Sequence, residues 1–333
     1  MRTKRSTALS LFVFLQVALF CAASPVAYQL CGTLKAGSES AFRNHKVDVI
    51  LQCTSAPFAV RTLADAAGKF RFKNLPSGTY ILIAVHERLG ELRKTVEIGP
   101  SFADASGKIL ATVSWEAKPV EHKRLTISAA MLSVSDGARK LYASALDLLG
   151  RHDVAGATQK LEKAVQAAPK FVAAWSYLGS IAYQSRQFAQ AEQCFREAYR
   201  LDPVSNLTLA NMGGVLLSEG KLEEALPFNL EAVQAAPNDA LAHSQLGLNF
   251  FRLGNDSEAE TQLKEAKKSD PSHYSFPQLT LSSIYKGRGD YSRMIRELEE
   301  FLQLHPDSDL VEAVRVTLAS ARHARNAISL SKN

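Results

Sequence analysis

The sequence predicts two domains, an all-β sandwich followed by an all-α superhelix of helix-turn-helix pairs. Two observations predict this. Four prolines, Pro169, Pro203, Pro237 and Pro271, stand 34 residues apart each time, and Pro306 follows one residue late. A period of this length belongs to stacked helix pairs, whose usual product is a binding groove. Ahead of them, from Tyr28 to about Lys118, the apolar residues recur every second position, the period of strands. At 333 residues the chain has length enough for two cores.

Residues 1–23 read as a leader. Arg2, Lys4 and Arg5 precede the apolar run from Leu9 to Ala23, which is short for a bilayer span and ends in the small residues Cys21, Ala22 and Ala23. That is the pattern of a secretory signal peptide cut near Ser24, so the expected location is extracytoplasmic, either periplasmic or secreted. Phe20 stands where a lipoprotein signal needs a small residue, which argues against lipidation of Cys21. An uncleaved anchor is the alternative, and the one expected route to a membrane. Loss of the leader lowers the net charge from +6 to +3. With no basic stripe interleaved with aromatics, nucleic acid is not an expected partner.

Residues 24–118 form the predicted sandwich. Val47, Val49, Leu51 and Cys53 share one face of a strand, and Phe70 and Phe72 alternate with Arg71 and Lys73. Tyr80, Leu82 and Ala84 alternate with Ile81, Ile83 and Val85, so that strand is expected to be covered on both faces. Val96 with Ile98, and Ile109 to Trp115, supply further strands. Turn signals at Asp65 to Gly68, Pro76-Ser77-Gly78 and Ser106-Gly107 separate the runs, giving six or seven short strands.

Export changes how the cysteines are read. Cys31 and Cys53 each lie in a strand-like run. If those strands form a hairpin centred near residue 42, Cys31 falls almost opposite Cys53 and a disulfide can close. Cys194, beside Phe195 in a repeat, reads as a small buried hydrophobe. No CxxC or Cys/His spacing suggests zinc, so neither metal nor cofactor is expected.

The stretch from Asp65 through Phe70-Arg71-Phe72 and Leu75-Pro76-Ser77-Gly78-Thr79-Tyr80 resembles the carboxypeptidase regulatory-like domains. That resemblance implies a transthyretin-like sandwich, within a wider group of carbohydrate-binding-like folds, acting as an accessory or spacer in exported proteins. Sugar binding would need exposed aromatics on one face, whereas Tyr80 and Trp115 read as core.

Residues 119–135 join the domains. Leu125-Thr126-Ile127 and Ala129 to Leu132 are not linker-like, and two placements stay open: against the first repeat, or completing the sandwich. Ser135 or Asp136 is expected to cap the first repeat helix.

Residues 136–306 hold five repeats. The second is clearest, with Ala174-Trp175-Ser176-Tyr177-Leu178-Gly179 opening one helix and Ala191, Phe195 and Ala198 spaced along the next. Gly179, Gly213 and Gly247 are placed for close helix approach, with Ala191, Ala225 and Ala259 doing the same from the second helices. Gly220, Gly254 and Gly289 sit where each pair turns, as a left-handed position requires. The fifth repeat is looser. In residues 307–333, Leu310, Val314, Thr317, Leu318 and Ala321 form one face of a helix that caps the last apolar edge.

These repeats resemble the tetratricopeptide repeat (TPR) family over roughly 136–306. The resemblance implies that the first helices of successive pairs line a groove holding a protein or peptide. Residues carried over onto that groove are Arg139, Tyr142, Tyr183, Gln184, Asn211, Gln245, Phe251 and Arg252. For Tyr183 and Phe251, packing between repeats is the competing reading. Asn211 lacks the companion lysines of family members that grip a C-terminal carboxylate, so an apolar or mixed segment is the better fit.

Catalytic signatures are missing: no P-loop, GxGxxG, HExxH or GxSxG occurs, and the eight histidines are dispersed. His243, inside a repeat helix, reads as a packing residue. The expected function is therefore a non-catalytic exported scaffold or adaptor that binds a protein or peptide in the repeat groove. The alternatives are carbohydrate or envelope-polymer binding through the sandwich, and a self-assembling structural protein.

Overall fold

The computed structural model describes residues 27–36, 42, 47–86, 89–115 and 134–330. The predicted leader, most of the joint between domains and the last three residues lie outside the described residues. No described helix is long and apolar enough to cross a membrane.

Seven strands precede eleven helices among the described residues. The strands are β1 (Tyr28–Ala36), β2 (Val47–Cys53), β3 (Ala59–Ala64), β4 (Lys69–Leu75), β5 (Gly78–His86), β6 (Gly90–Ile98) and β7 (Lys108–Trp115). They form a three-stranded sheet in the order β4-β1-β7 and a four-stranded sheet in the order β3-β2-β5-β6. The alternation dictates the packing. Val47, Val49, Leu51 and Cys53 all turn inward, as do Phe70, Phe72, Tyr80, Leu82 and Ala84, and together they form one core between the sheets. Tyr80 buries its ring and donates its hydroxyl to the Pro76 carbonyl at 2.9 Å, so the phenol is core with its polar end satisfied. The second face of β5 is only partly covered: Ile81 and Ile83 are half-buried and Val85 is exposed. The turn before β4 closes on Asp65, whose Oδ1 accepts the Ala67 and Lys69 amides at 2.9 and 2.8 Å while Gly68 takes φ +74°.

The hairpin that would bring Cys31 to Cys53 does not form. β1 pairs antiparallel with β4 and parallel with β7, whereas β2 lies in the other sheet between β3 and β5. Cys53 faces the core and Cys31 alternates onto the outer face of its own sheet, so a sheet's thickness separates them and both thiols are free.

The helices pair as α1 (Asp136–Leu149) with α2 (Val154–Ala167), α3 (Val172–Gln184) with α4 (Phe188–Leu201), and α5 (Asn206–Glu219) with α6 (Leu222–Ala235). α7 (Ala240–Arg252) with α8 (Asp256–Ser269) and α9 (Pro277–Gly287) with α10 (Tyr291–Leu304) complete the five pairs. Ser135 caps α1 by accepting the Ala138 amide at 3.3 Å. Ala157, Ala191, Ala225 and Ala259 are fully buried at the same place in their second helices. Opposite them, a Cβ added at Gly179 would lie 2.4 Å from the Phe195 ring, and one at Gly247 2.7 Å from Leu263, so the helices of a pair approach as only glycine permits. The tight turn inside each pair falls at His152, Arg186, Gly220, Gly254 and Gly289, all with positive φ between 60° and 84°.

Helix α11 (Val311–Leu330) ends the array. Its Val314, Leu318 and Ala321 are buried against Met294, Ile295, Leu298 and Phe301, covering the edge the fifth pair would otherwise expose.

The fifth pair departs from the others. The first helices α3, α5 and α7 begin three residues after their proline, but α9 begins only at Pro277, six residues after Pro271. Residues 272–276 replace its first turn, with Phe276 held at φ +52°. This loop faces the sandwich.

Candidate functional site

The first helices carry the residues predicted to line a groove, and the structure gives each a place. On α1, Arg139 is exposed and pairs with Asp136 Oδ1 at 2.7 Å within its own turn. Tyr142 is half-buried, its ring 5.1 Å from Phe171 and 5.5 Å from Tyr177, so it packs between the first two repeats. On α3, the Tyr183 ring meets Phe188 edge-on and its hydroxyl lies 2.8 Å from Ser218 Oγ on α5. Asn211 is half-buried on α5. On α7, Gln245 lies over Gly214 of the preceding first helix, with its Oε1 buried and unbonded among the described residues. Arg252 reaches back to the Leu217 carbonyl, and Phe251 packs on the core of the last repeats. Tyr183, Gln245 and Arg252 thus stitch successive first helices together, side by side along one face.

Gln184 has another partner. Its Nε2 donates to the Cys53 carbonyl of the sandwich at 2.9 Å. That bond is one of a series joining the two domains, none of them legible in the repeat pattern. Near the first pair, Phe58 stacks on His152 at 4.7 Å, and Gly150 sits against the Ala59 carbonyl and Val60. At the loop before α9, Asp270 Oδ2 accepts the Thr95 amide at 3.0 Å and the Thr95 hydroxyl at 2.8 Å. That same hydroxyl oxygen accepts the Tyr274 amide at 3.3 Å. Lys94 donates to the Ser269 carbonyl. After α10, His305 Nδ1 lies 2.9 Å from Glu97 Oε1, placed for the ring N–H to donate, and Asp307 Oδ2 accepts the Ser101 amide at 3.0 Å. The sandwich therefore touches the array from the first pair, through β3 and the loop before it, to the end of the fifth, through β6 and the loop after it.

The seam is polar and partly dry. Asp270 is 6% exposed, and burial raises its carboxyl above the usual range against the opposing pull of the Thr95 bonds and of Lys94 and His305. His273 is also buried. Loss of solvent, followed by the electrostatic influence of Lys94 and His305, pushes its ring down to about 3, so it is neutral near pH 7. His305 is 1% exposed, with Nε2 unbonded among the described residues and its ring against Phe276 and Phe301.

Ser, His and carboxylate groups cluster here without the hydrogen-bonded order of a triad among the described residues. His273 meets Ser275 Oγ through Nδ1 at 2.7 Å, but no carboxylate bonds that ring among the described residues. The cavity at the seam, lined in part by Gln52, Phe58, Tyr177 and Gln184, holds about 10 Å³, room for one water rather than a substrate. No group of three or more metal-ligating side chains occurs among the described residues. His243 is a satisfied packing residue, bonded to Gln262 at 2.7 Å and to the Pro237 carbonyl at 3.0 Å.

Comparison with known proteins bears on the helical half. The tetratricopeptide repeat family model matches residues 142–206 and again 181–240. The Protein STIP1 homolog of Dictyostelium discoideum is 28% identical over 95 residues, 28% of this chain and 17% of the relative. The TPR repeat-containing thioredoxin TTL4 of Arabidopsis thaliana is 33% identical over 85 residues, 26% of this chain and 12% of the relative. The chain thus spans less than a fifth of the length of either relative. Among solved structures, the APC/C hetero-tetramer Cut9–Hcn1 aligns with a TM-score of 0.51 and 18% identity over 56% of this chain and 37% of that one. Residues 142–240 match the tetratricopeptide repeat family, and the helix pairs on either side of that segment continue the same repeated architecture.

Proposed function

We propose that this chain is an exported, non-catalytic scaffold whose repeat array binds a protein or peptide partner. The observation that carries the reading is that the array already holds a folded protein surface, its own sandwich, through side chains of α3 and the loops after α8 and α10. Its first helices present a mixed face, with Tyr183 37% exposed and Asn211 half-buried. Export rests on the charged start and apolar run of residues 2–23. The sandwich, with its Phe-x-Phe strand and Leu-Pro-x-Gly-x-Tyr turn, is assigned to the carboxypeptidase regulatory-like group and acts as the second contact.

Affinity capture with the intact mature chain on cell-envelope extract tests this reading, with Tyr183→Ala as the control. A discrete protein retained by the first and weakened several-fold by the second supports it. Retention of nothing specific, or retention indifferent to the substitution, overturns it. N-terminal sequencing of the chain from its native host tests export, with Ser24 as the expected first residue.

A further inference from the structure

We propose that the sandwich is the resident ligand of its own repeat array, a domain docked in cis that a partner must displace to reach the first-helix face. The inference rests on the reading of that face as a protein-binding surface.

Three observations carry it. First, the domains do not share a core. The sandwich core draws only on residues from Tyr28 to Val113, and the clusters of the later repeats draw only on the array. Ala59 joins the cluster of the first two pairs, and Phe58 stacks on His152. Two cores that close separately can part without exposing much apolar surface, which is the property of a separable interface.

Second, beyond the packing of Phe58, Ala59 and Val60 on the first pair, the contacts that cross are directional hydrogen bonds. Gln184 holds the Cys53 carbonyl at one end. Asp270, His305 and Asp307 hold Thr95, Glu97 and Ser101 at the other. Each has a counterpart in water once released, so the docked state is favoured by a modest margin.

Third, the recognition has a readable pattern. On β6, Thr95 and Glu97 are two residues apart and so point to the same side of the strand. Asp270 takes the hydroxyl and His305 the carboxylate. The late start of α9 opens the loop that makes this possible: Tyr274 donates its amide to Thr95 from residues that in the other repeats would be helix. The array is therefore built to read an extended strand carrying a hydroxyl residue and, two positions on, a carboxylate. The chain's own β6 supplies that strand.

Hydrogen exchange on the intact chain, read by mass spectrometry, tests the proposal. The variant is Thr95→Val with Glu97→Gln and Ser101→Ala, all on the sandwich side of the seam. In the docked-ligand reading, exchange rises about tenfold together in residues 149–152, 180–184, 269–275 and 305–307, while α5, α6 and β2 keep their protection. A rise confined to 269–275 and 305–307 overturns the proposal, because release is then not a single event. A rise that spreads into α5 and β2 also overturns it, since the two domains then stand or fall as one core. The capture experiment, repeated with this variant, separates the two readings. Tighter retention than wild type supports displacement. Retention of no protein by either chain defeats the scaffold reading, while exchange still decides whether the sandwich docks and releases.

Discussion

Thr95 on β6 and Asp270 at the end of α8, 175 residues apart in sequence, share two hydrogen bonds to a single carboxylate oxygen, at 3.0 and 2.8 Å. The carboxyl is nonetheless held above its ordinary range, so the loss of solvent outweighs what Thr95, Lys94 and His305 return. The two sides of this contact should therefore respond unequally. Thr95→Val removes the hydroxyl and leaves a buried charge with one bond fewer, at a cost of about 1–3 kcal/mol. Asp270→Asn keeps an acceptor oxygen and removes the charge, and should cost less than Thr95→Val. Linkage adds a sign: a carboxyl whose folded pKa is raised binds its proton more tightly when docked. Wild type should thus gain stability relative to Asp270→Asn as pH falls through that folded value. Urea midpoints of the two variants at pH 7 and pH 5 check both statements.

The turns inside the helix pairs offer a second test. Arg186 holds φ +60° at the position where Gly220, Gly254 and Gly289 hold +80°, +84° and +71°. A side chain in this region strains the backbone, whereas glycine visits it freely. Arg186→Gly should stabilise the array by about 1 kcal/mol, and Gly220→Ala should destabilise it by a similar amount, roughly 1 kcal/mol. His152 shares the strained angle, at +60°, but its ring stacks on Phe58 of the sandwich, so His152→Gly should gain less. Thermal midpoints of the three variants rank them. Equal shifts for Arg186→Gly and His152→Gly would show that the stack contributes nothing.

What the sequence made legible was local or periodic. The proline frame located every connection between repeats because each of its prolines follows a second helix that it cannot continue, whereas Pro227 stands inside α6. The strand faces at Val47 to Cys53 and Phe70 to Phe72 were legible because burial follows a period of two. The seam was not. Thr95, Glu97, Asp270 and His305 belong to no period, and each looks like a solvated polar residue until its distant partner is known. Gln184 was singled out as a groove residue, and its amide bonds the chain's own Cys53 carbonyl. The cysteine pairing failed for a related reason. β1 joins the later strands β4 and β7 instead of its sequence neighbour β2, and no turn residue near position 42 records that choice.

The free thiols follow from that topology and can be counted. Cys31 is half-buried, Cys53 and Cys194 are buried, and burial together with the nearby Glu162 charge pushes the Cys194 thiol up to about 11. A thiol so raised is protonated near neutral pH and reacts slowly. Alkylation of the native mature chain at pH 7.5 should modify Cys31 first and leave Cys194 untouched over the same interval. Alkylation in denaturant without reductant should modify all three. A mass two hydrogens lighter than the reduced chain, with Cys31 and Cys53 both protected, would establish the bridge that the sheet topology forbids.

Acid should loosen the fourth and fifth pairs through Glu260. Its side chain is 13% exposed, and that burial alone would raise its carboxyl. Bonds from Lys264, Arg288 and Tyr285 overcome the effect and hold it at about 2. A folded pKa below the unfolded one contributes stability that is present above the unfolded value and lost as pH falls through the folded value. The window therefore runs from about pH 4.5 down to about pH 2. Glu260→Gln should lower stability at pH 7 by up to about 3 kcal/mol, the linkage value for a shift of this size. Toward pH 2 the variant and wild type should converge. Asp270 works in the opposite sense, so Glu260 favours the native state at neutral pH and Asp270 favours it in acid. Exchange protection of α8 to α10 in wild type and in Glu260→Gln, followed from pH 7 to pH 2.5, isolates the first: a gap that stays constant with pH would show that Glu260 acts through packing and not through its charge.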